Sequence, residues 1–104
     1  MSSYYWSYIK LIEVFKEDRQ GIELVNEFFN NSLRYVIETF KRRKNKEDTL
    51  FNKVRDSVRK LNDYIQRRNR LAYNHHKETI PLLREPTTSD ISDLIISIYN
   101  SRRK

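Results

Sequence analysis

The residues best suited to chemistry lie between Leu61 and His76, where Arg67, Arg68, Asn69, Arg70, Tyr73 and His75 stand close together. An arginine holds phosphate with two parallel N–H donors. A histidine, with an unperturbed pKa of ~6.5, moves protons near neutral pH. The positions Leu61, Ile65, Arg68, Ala72 and His75 are spaced four, three, four and three, as on one face of a helix. On that face Arg68 and His75 lie within about 20° of each other and ~10.5 Å apart along the axis. They interrupt an apolar stripe where core residues are due. Burial of a guanidinium is costly unless it is paired or faces a cleft or a partner. The spacing therefore predicts a face opening onto a groove or a subunit interface. The competing reading is structural: Arg68 reaches outward on its stem, and His75 meets the negative end of the helix dipole.

Other chemistries are excluded or unsupported by residue type. The chain has no Cys, which removes thiol catalysis, disulfides and cysteine-built zinc sites. One Gly cannot build a phosphate-cradling loop, and no nucleophile-elbow motif is present. His75 and His76 are adjacent and point about 100° apart on a helix, so they form no metal pair by themselves. Glu17-Asp18 and Glu47-Asp48 sit at expected helix ends, where capping explains them. No metal and no cofactor is expected.

The chain has 104 residues, 21 Lys+Arg, 14 Asp+Glu and a net charge of +7. The excess is local. Residues 1–40 carry four basic and six acidic groups, 41–84 carry fourteen and five, and 85–104 balance. The central basic block holds Lys41, Arg42, Arg43 and Lys44 as well as Arg67, Arg68 and Arg70. A field of this kind attracts phosphates through counterion release and steering. Solvation of a helical surface is the plain alternative.

The elements that must position these residues are helical throughout, so the fold class is all-α. The periodicity predicts helices over about 3–17, 22–43, 46–75 and 89–101, a compact up-and-down bundle of about four helices and a single domain over 1–104. Gly21 is expected to supply a positive φ in the first turn, and Asn45 to cap the third helix. Residues 76–88 hold both prolines and read as a loop. Thr87-Thr88-Ser89-Asp90 caps the last helix. The expected apolar stripes include Tyr5, Ile12 and Phe15 or Lys16; Ile22, Val25, Val36 and Phe40; Val54, Val58, Leu61 and Ile65; and Ile91, Leu94 and Ile98. A chain this short buries little more than ~60% of its unfolded surface, which makes a dimer sharing apolar surface the natural expectation. The longest apolar runs are far below the ~20 residues that span a bilayer. The start, Met1 to Trp6, lacks the marks of a signal peptide. A cytoplasmic location without membrane contact is expected.

Arg68-Asn69-Arg70-Leu71-Ala72-Tyr73-Asn74-His75 resembles the signature of the HEPN superfamily, small all-helical domains that include toxin and defence ribonucleases. Its motif is an Arg, usually followed by a polar residue, with four to six residues before a His. Arg68 to His75 has six intervening residues, and Arg70 to His75 has four. The late position in a long third helix also matches. Many members have the His directly after Leu-Ala, where this chain has Tyr73. The resemblance implies a metal-independent endoribonuclease acting on single-stranded RNA, with Arg–His pairs converging across a homodimer interface. His75 would act as general base or acid, Arg68 would neutralise the scissile phosphate, and Asn69 would orient the pair or bond the phosphate. Lys41, Arg42, Arg43, Lys44, Arg67 and Arg70 would form an RNA-binding rim, and Tyr73 would stack on a base or pack. An antitoxin would be a further partner.

Two other readings use the same charge without catalysis. One is a basic helical module that binds nucleic acid or helps assemble a ribonucleoprotein, like a CRISPR-type small subunit or a viral accessory protein. The other is an interaction protein whose basic face docks an acidic partner.

Overall fold

Apolar residues recur at helical spacing along nearly the whole chain, and the fold follows that pattern. A computed structural model describes residues 3–42, 44–74 and 79–102. These form α1 (Ser3–Val14), α2 (Arg19–Phe40), α3 (Lys44–Asn74) and α4 (Thr88–Arg102), an all-α bundle with no strand among the described residues. At 1.5 Å per residue the 31 residues of α3 run about 46 Å. That nearly equals the 48 Å long axis of the molecule, so α3 is its spine.

α2 and α3 pack antiparallel. Tyr35 meets Phe51 near the elbow, with ring centroids 5.3 Å apart. Glu27 pairs with Lys60 midway, and Asp18 reaches Arg68 at the far end. α1 and α4 pack on each other and on α2. The core comprises Tyr4, Tyr8, Leu11 and Phe15 from α1 and its exit, Val25 and Phe28 from α2, Val54, Val58, Leu61 and Ile65 from α3, and Ile91, Leu94 and Ile98 from α4. Burying such side chains contributes roughly 1.5–3 kcal/mol each against exposure.

Three local expectations are corrected. Gly21 does not turn the chain with a positive φ. It lies inside the first turn of α2, which starts at Arg19 with Asp18 as its N-cap. Its lack of a side chain serves close approach instead: a Cβ there would fall 2.6 Å from Cγ of Phe15. Asn45 lies within α3, not ahead of it. Phe40 is 78% exposed, and Tyr35 takes the core position on α2. α2 ends at Phe40 because Arg42 adopts φ 57°, a left-handed conformation rare outside glycine, that turns the chain toward α3. The Thr87–Asp90 cap is present as a reciprocal box. The Asp90 N–H donates to Thr87 Oγ1, and the Thr87 N–H donates to the Asp90 carboxylate.

Residues 79–87, ahead of α4, run antiparallel to α3. Two asparagines seven residues apart fasten them. Asn69 donates to Ile80 O at 2.8 Å and accepts from the Ile80 N–H at 2.7 Å. Asn62 does the same for Leu83, with both bonds at 2.9 Å. Seven helical residues rise ~10.5 Å and three extended residues span ~10 Å, so the two clasps are in register. The strap ends at Arg84, whose carbonyl accepts from the Tyr4 hydroxyl and whose guanidinium forks onto Asp90. In an Asn69→Ala variant, native-state exchange of the Ile80 amide is expected to rise about tenfold or more, with Leu83 unchanged. Equal acceleration at both amides would mean that the strap opens as one unit.

Candidate nucleic-acid interface

Arg68 and Asn69, adjacent on α3, are drawn to opposite neighbours. Arg68 points toward the start of α2. Its Nη1 donates to Asp18 Oδ2 at 2.8 Å, and its guanidinium lies 5.7 Å from the centroid of the Phe15 ring. The Tyr64 hydroxyl donates to the same Asp18 oxygen at 2.5 Å, while Asp18 Oδ1 caps the Gly21 N–H at 3.1 Å. Burial pushes the Asp18 carboxyl upward, but the bonds from Tyr64, Gly21 and Arg68 outweigh it and hold the group below its ordinary value. Tyr64 is pushed up by burial and by the Asp18 carboxylate it bonds. The interruption of the apolar stripe at position 68 is thus met by pairing. The Arg68 side chain stays 41% exposed, whereas Asp18 is 16% exposed. Asn69 faces the strap, with both halves of its amide engaged by the Ile80 main chain.

The remaining site residues divide by position. Arg67 and Arg70 are exposed on α3, and Lys41 and Arg42 are exposed at the elbow. Lys44 is the first residue of α3, and Tyr73 lies in its last turn; their side chains, with Arg43 and His75, lie outside the described residues. Among the described residues no group of three or more His, Asp or Glu is gathered as a metal site. No described helix is long and apolar enough to cross a membrane.

Sequence reasoning missed a longer basic row. Lys46, Lys53, Lys60 and Arg67 stand seven residues apart and are all exposed. Each seven-residue step falls about 20° short of two full turns, so the row winds slowly over about 31 Å, with ~10.5 Å between charges. Lys60 bonds Glu27 at 2.9 Å; Lys46, Lys53 and Arg67 form no ion pair among the described residues. Exposed Asp56 and Asp63 flank the row, and Asp56 is paired with Arg59 at 3.3 Å. The seven-residue basic period was the available signal. The consecutive basic clusters at 41–44 and 67–70, denser in charge, mask it along the chain.

A groove opens where α2 hands over to α3. It measures about 440 Å³ and is walled by Arg34, Ile37 and Glu38 of α2 and by Lys46, Leu50 and Lys53 of α3. Lys46 and Lys53 thus belong to both the groove and the row. No family model, no curated protein and no solved structure matches the chain.

Proposed function

We propose that this chain is a basic helical module that binds RNA along α3, with the elbow residues Lys41–Lys44 extending the contact. The observation that carries this is the exposed row Lys46, Lys53, Lys60 and Arg67. Its cations stand at regular helical intervals on the longest helix of the fold, and each phosphate they neutralise releases counterions. An acidic protein partner would need only the field. A periodic row on one helix suits a repeating phosphate backbone better.

The second reading is the HEPN-type endoribonuclease, working as a toxin or defence protein. Arg68 would neutralise the phosphate, His75 would move the proton, and a second copy would complete the cleft. The observation in its favour is that Arg68 is oriented by Asp18 and Tyr64 yet remains partly exposed. Asn69, engaged at Ile80, would then be a positioning residue that fixes the turn carrying Arg68.

The test is binding and cleavage of labelled single-stranded RNA in excess EDTA across a salt series. Wild type is expected to bind with a steep negative salt slope. Replacing Lys46, Lys53 and Arg67 together by Gln should reduce that slope by about 2, at ~0.7 for each phosphate no longer neutralised. An unchanged slope would exclude the row as the binding surface. RNA ends carrying 2′,3′-cyclic phosphate, absent with His75→Ala at the same oligomeric state, would establish the nuclease reading. Equal binding by both proteins without cleavage would leave the binding module alone.

A further inference from the structure

We infer that the groove at the α2–α3 elbow takes a nucleobase from a single strand whose phosphates run along the α3 row. The inference rests on the RNA-binding reading above and adds a preference for unpaired strands.

Three cations, Arg34, Lys46 and Lys53, stand around the groove against one carboxylate, Glu38, a net lining charge of +2. None of the three cations forms an ion pair among the described residues. The same lining holds the apolar side chains of Ile37 and Leu50, with Asn45 and Thr49 beside them. Leu50 packs against the core, and Ile37 is left 42% exposed. A volume of about 440 Å³ is within the usual range for small-molecule sites. Cations around an apolar surface match a flat heterocycle attached to phosphate. Inorganic phosphate would use the cations only, and a neutral apolar ligand would leave them unused.

The second observation is Phe40. It lies one turn beyond Ile37 on the same face of α2, and its ring is the most exposed of the large apolar side chains described. An aromatic face beside a basic track is how proteins hold unpaired bases, because every base has a surface to stack. Since Lys46 and Lys53 also begin the row, a base seated between Ile37 and Leu50 lies at one end of the phosphate path. In a duplex that base is paired and stacked, and cannot enter.

The test compares a short labelled oligouridine with a duplex RNA of equal length, at one salt concentration. Wild type should bind the single strand about tenfold or more tightly than the duplex. Phe40→Ala, at a position too exposed to support the fold, should weaken single-strand binding by about fivefold or more. Ile37→Glu, checked for helicity and melting temperature, should weaken single-strand binding by more than it weakens duplex binding, whose loss is only that of one added carboxylate beside the row. Retention of the preference by both variants would overturn the groove assignment while leaving the row intact. Equal wild-type affinity for both RNAs would do the same. Failure of wild type to bind either RNA would remove the RNA-binding reading itself. Uridine monophosphate is the remaining arm: if it bound the groove as tightly as the strand does, the ligand would be a free nucleotide, and the link to the row would be overturned.

Discussion

Gly21→Val is expected to destabilise the fold by about 3 kcal/mol, the upper end of what overpacking usually costs. Its Cβ would meet Phe15 Cγ at 2.6 Å and Cδ2 at 2.8 Å. Retreat is blocked, because Phe15 is fully buried and packs edge-on against Tyr64, with centroids 5.5 Å apart. For a domain of this size the melting temperature should fall by roughly 12 °C or more. Gly21→Ala carries the same Cβ but recovers some helix propensity, so its loss should be smaller. The decisive comparison is a double-mutant cycle with Phe15→Leu, in which the cost of Gly21→Ala should shrink once the ring is gone. Additive losses would show that the contact with Phe15 is not the cause.

The second large effect belongs to Asp18. Asp18→Ala removes a helix cap, at ~1 kcal/mol, and strips a shared acceptor from Tyr64 and Arg68, at ~1–2 more, for a total of about 2–3 kcal/mol. Asp18→Asn keeps a good cap and loses only the charge, so it should cost less. The two substitutions thus separate capping from ion pairing. The sign of the pH dependence follows from the depressed carboxyl. Its stabilisation is complete above the unfolded-state value of ~3.9 and fades as pH falls through that value toward the lower one of the folded state. Asp90 behaves likewise. The Arg84 fork, with the Thr87 cap, brings it down to about 2. Urea melts between pH 7 and pH 2 should show the gap between wild type and Asp18→Asn closing in acid. A gap independent of pH would mean that the Asp18 charge contributes nothing.

Much of the architecture was readable along the chain because burial repeats. Val25, Val54, Val58, Leu61, Ile65, Ile91, Leu94 and Ile98 were all expected in the core, and all are there. Thr87 and Asp90 declared their helix start through a local, three-residue relation. What failed depended on interactions across the chain. Asp18 was read as a capping and turn-solvating residue at a helix end, and it is the N-cap of α2. What the local pattern could not show is its role as acceptor for Arg68, which needs α3 to return beside it, fifty residues on. Gly21 looked like a conformational hinge because nothing local announces the Phe15 ring above it. Asn69 was expected to orient the Arg–His pair or bond a phosphate; its clasp of the Ile80 main chain leaves no periodic trace along the sequence. The stripe through Arg68 did state its own difficulty, a charge where apolar residues were due. It could not name the carboxylate that resolves it.

The strap has a consequence for which sequences can occupy it. Asn62 and Asn69 grip only main-chain groups, so the clasp is indifferent to side-chain identity but not to proline. Residues 80 and 83 must each present an N–H, and proline at either would leave one amide oxygen of the clasp unused. Pro81 stands between the two gripped residues, where no clasp bond calls for an N–H. There its fixed φ favours the extended path that the register of the asparagines requires. Ile80 and Leu83 also turn toward the core, while positions 81 and 82 face outward. The segment therefore has two positions set by clasp and core, one where proline suits the path, and one, Leu82, open to drift. A proline that sequence reasoning counts as a break in structure is, at this site, part of what holds the chain straight.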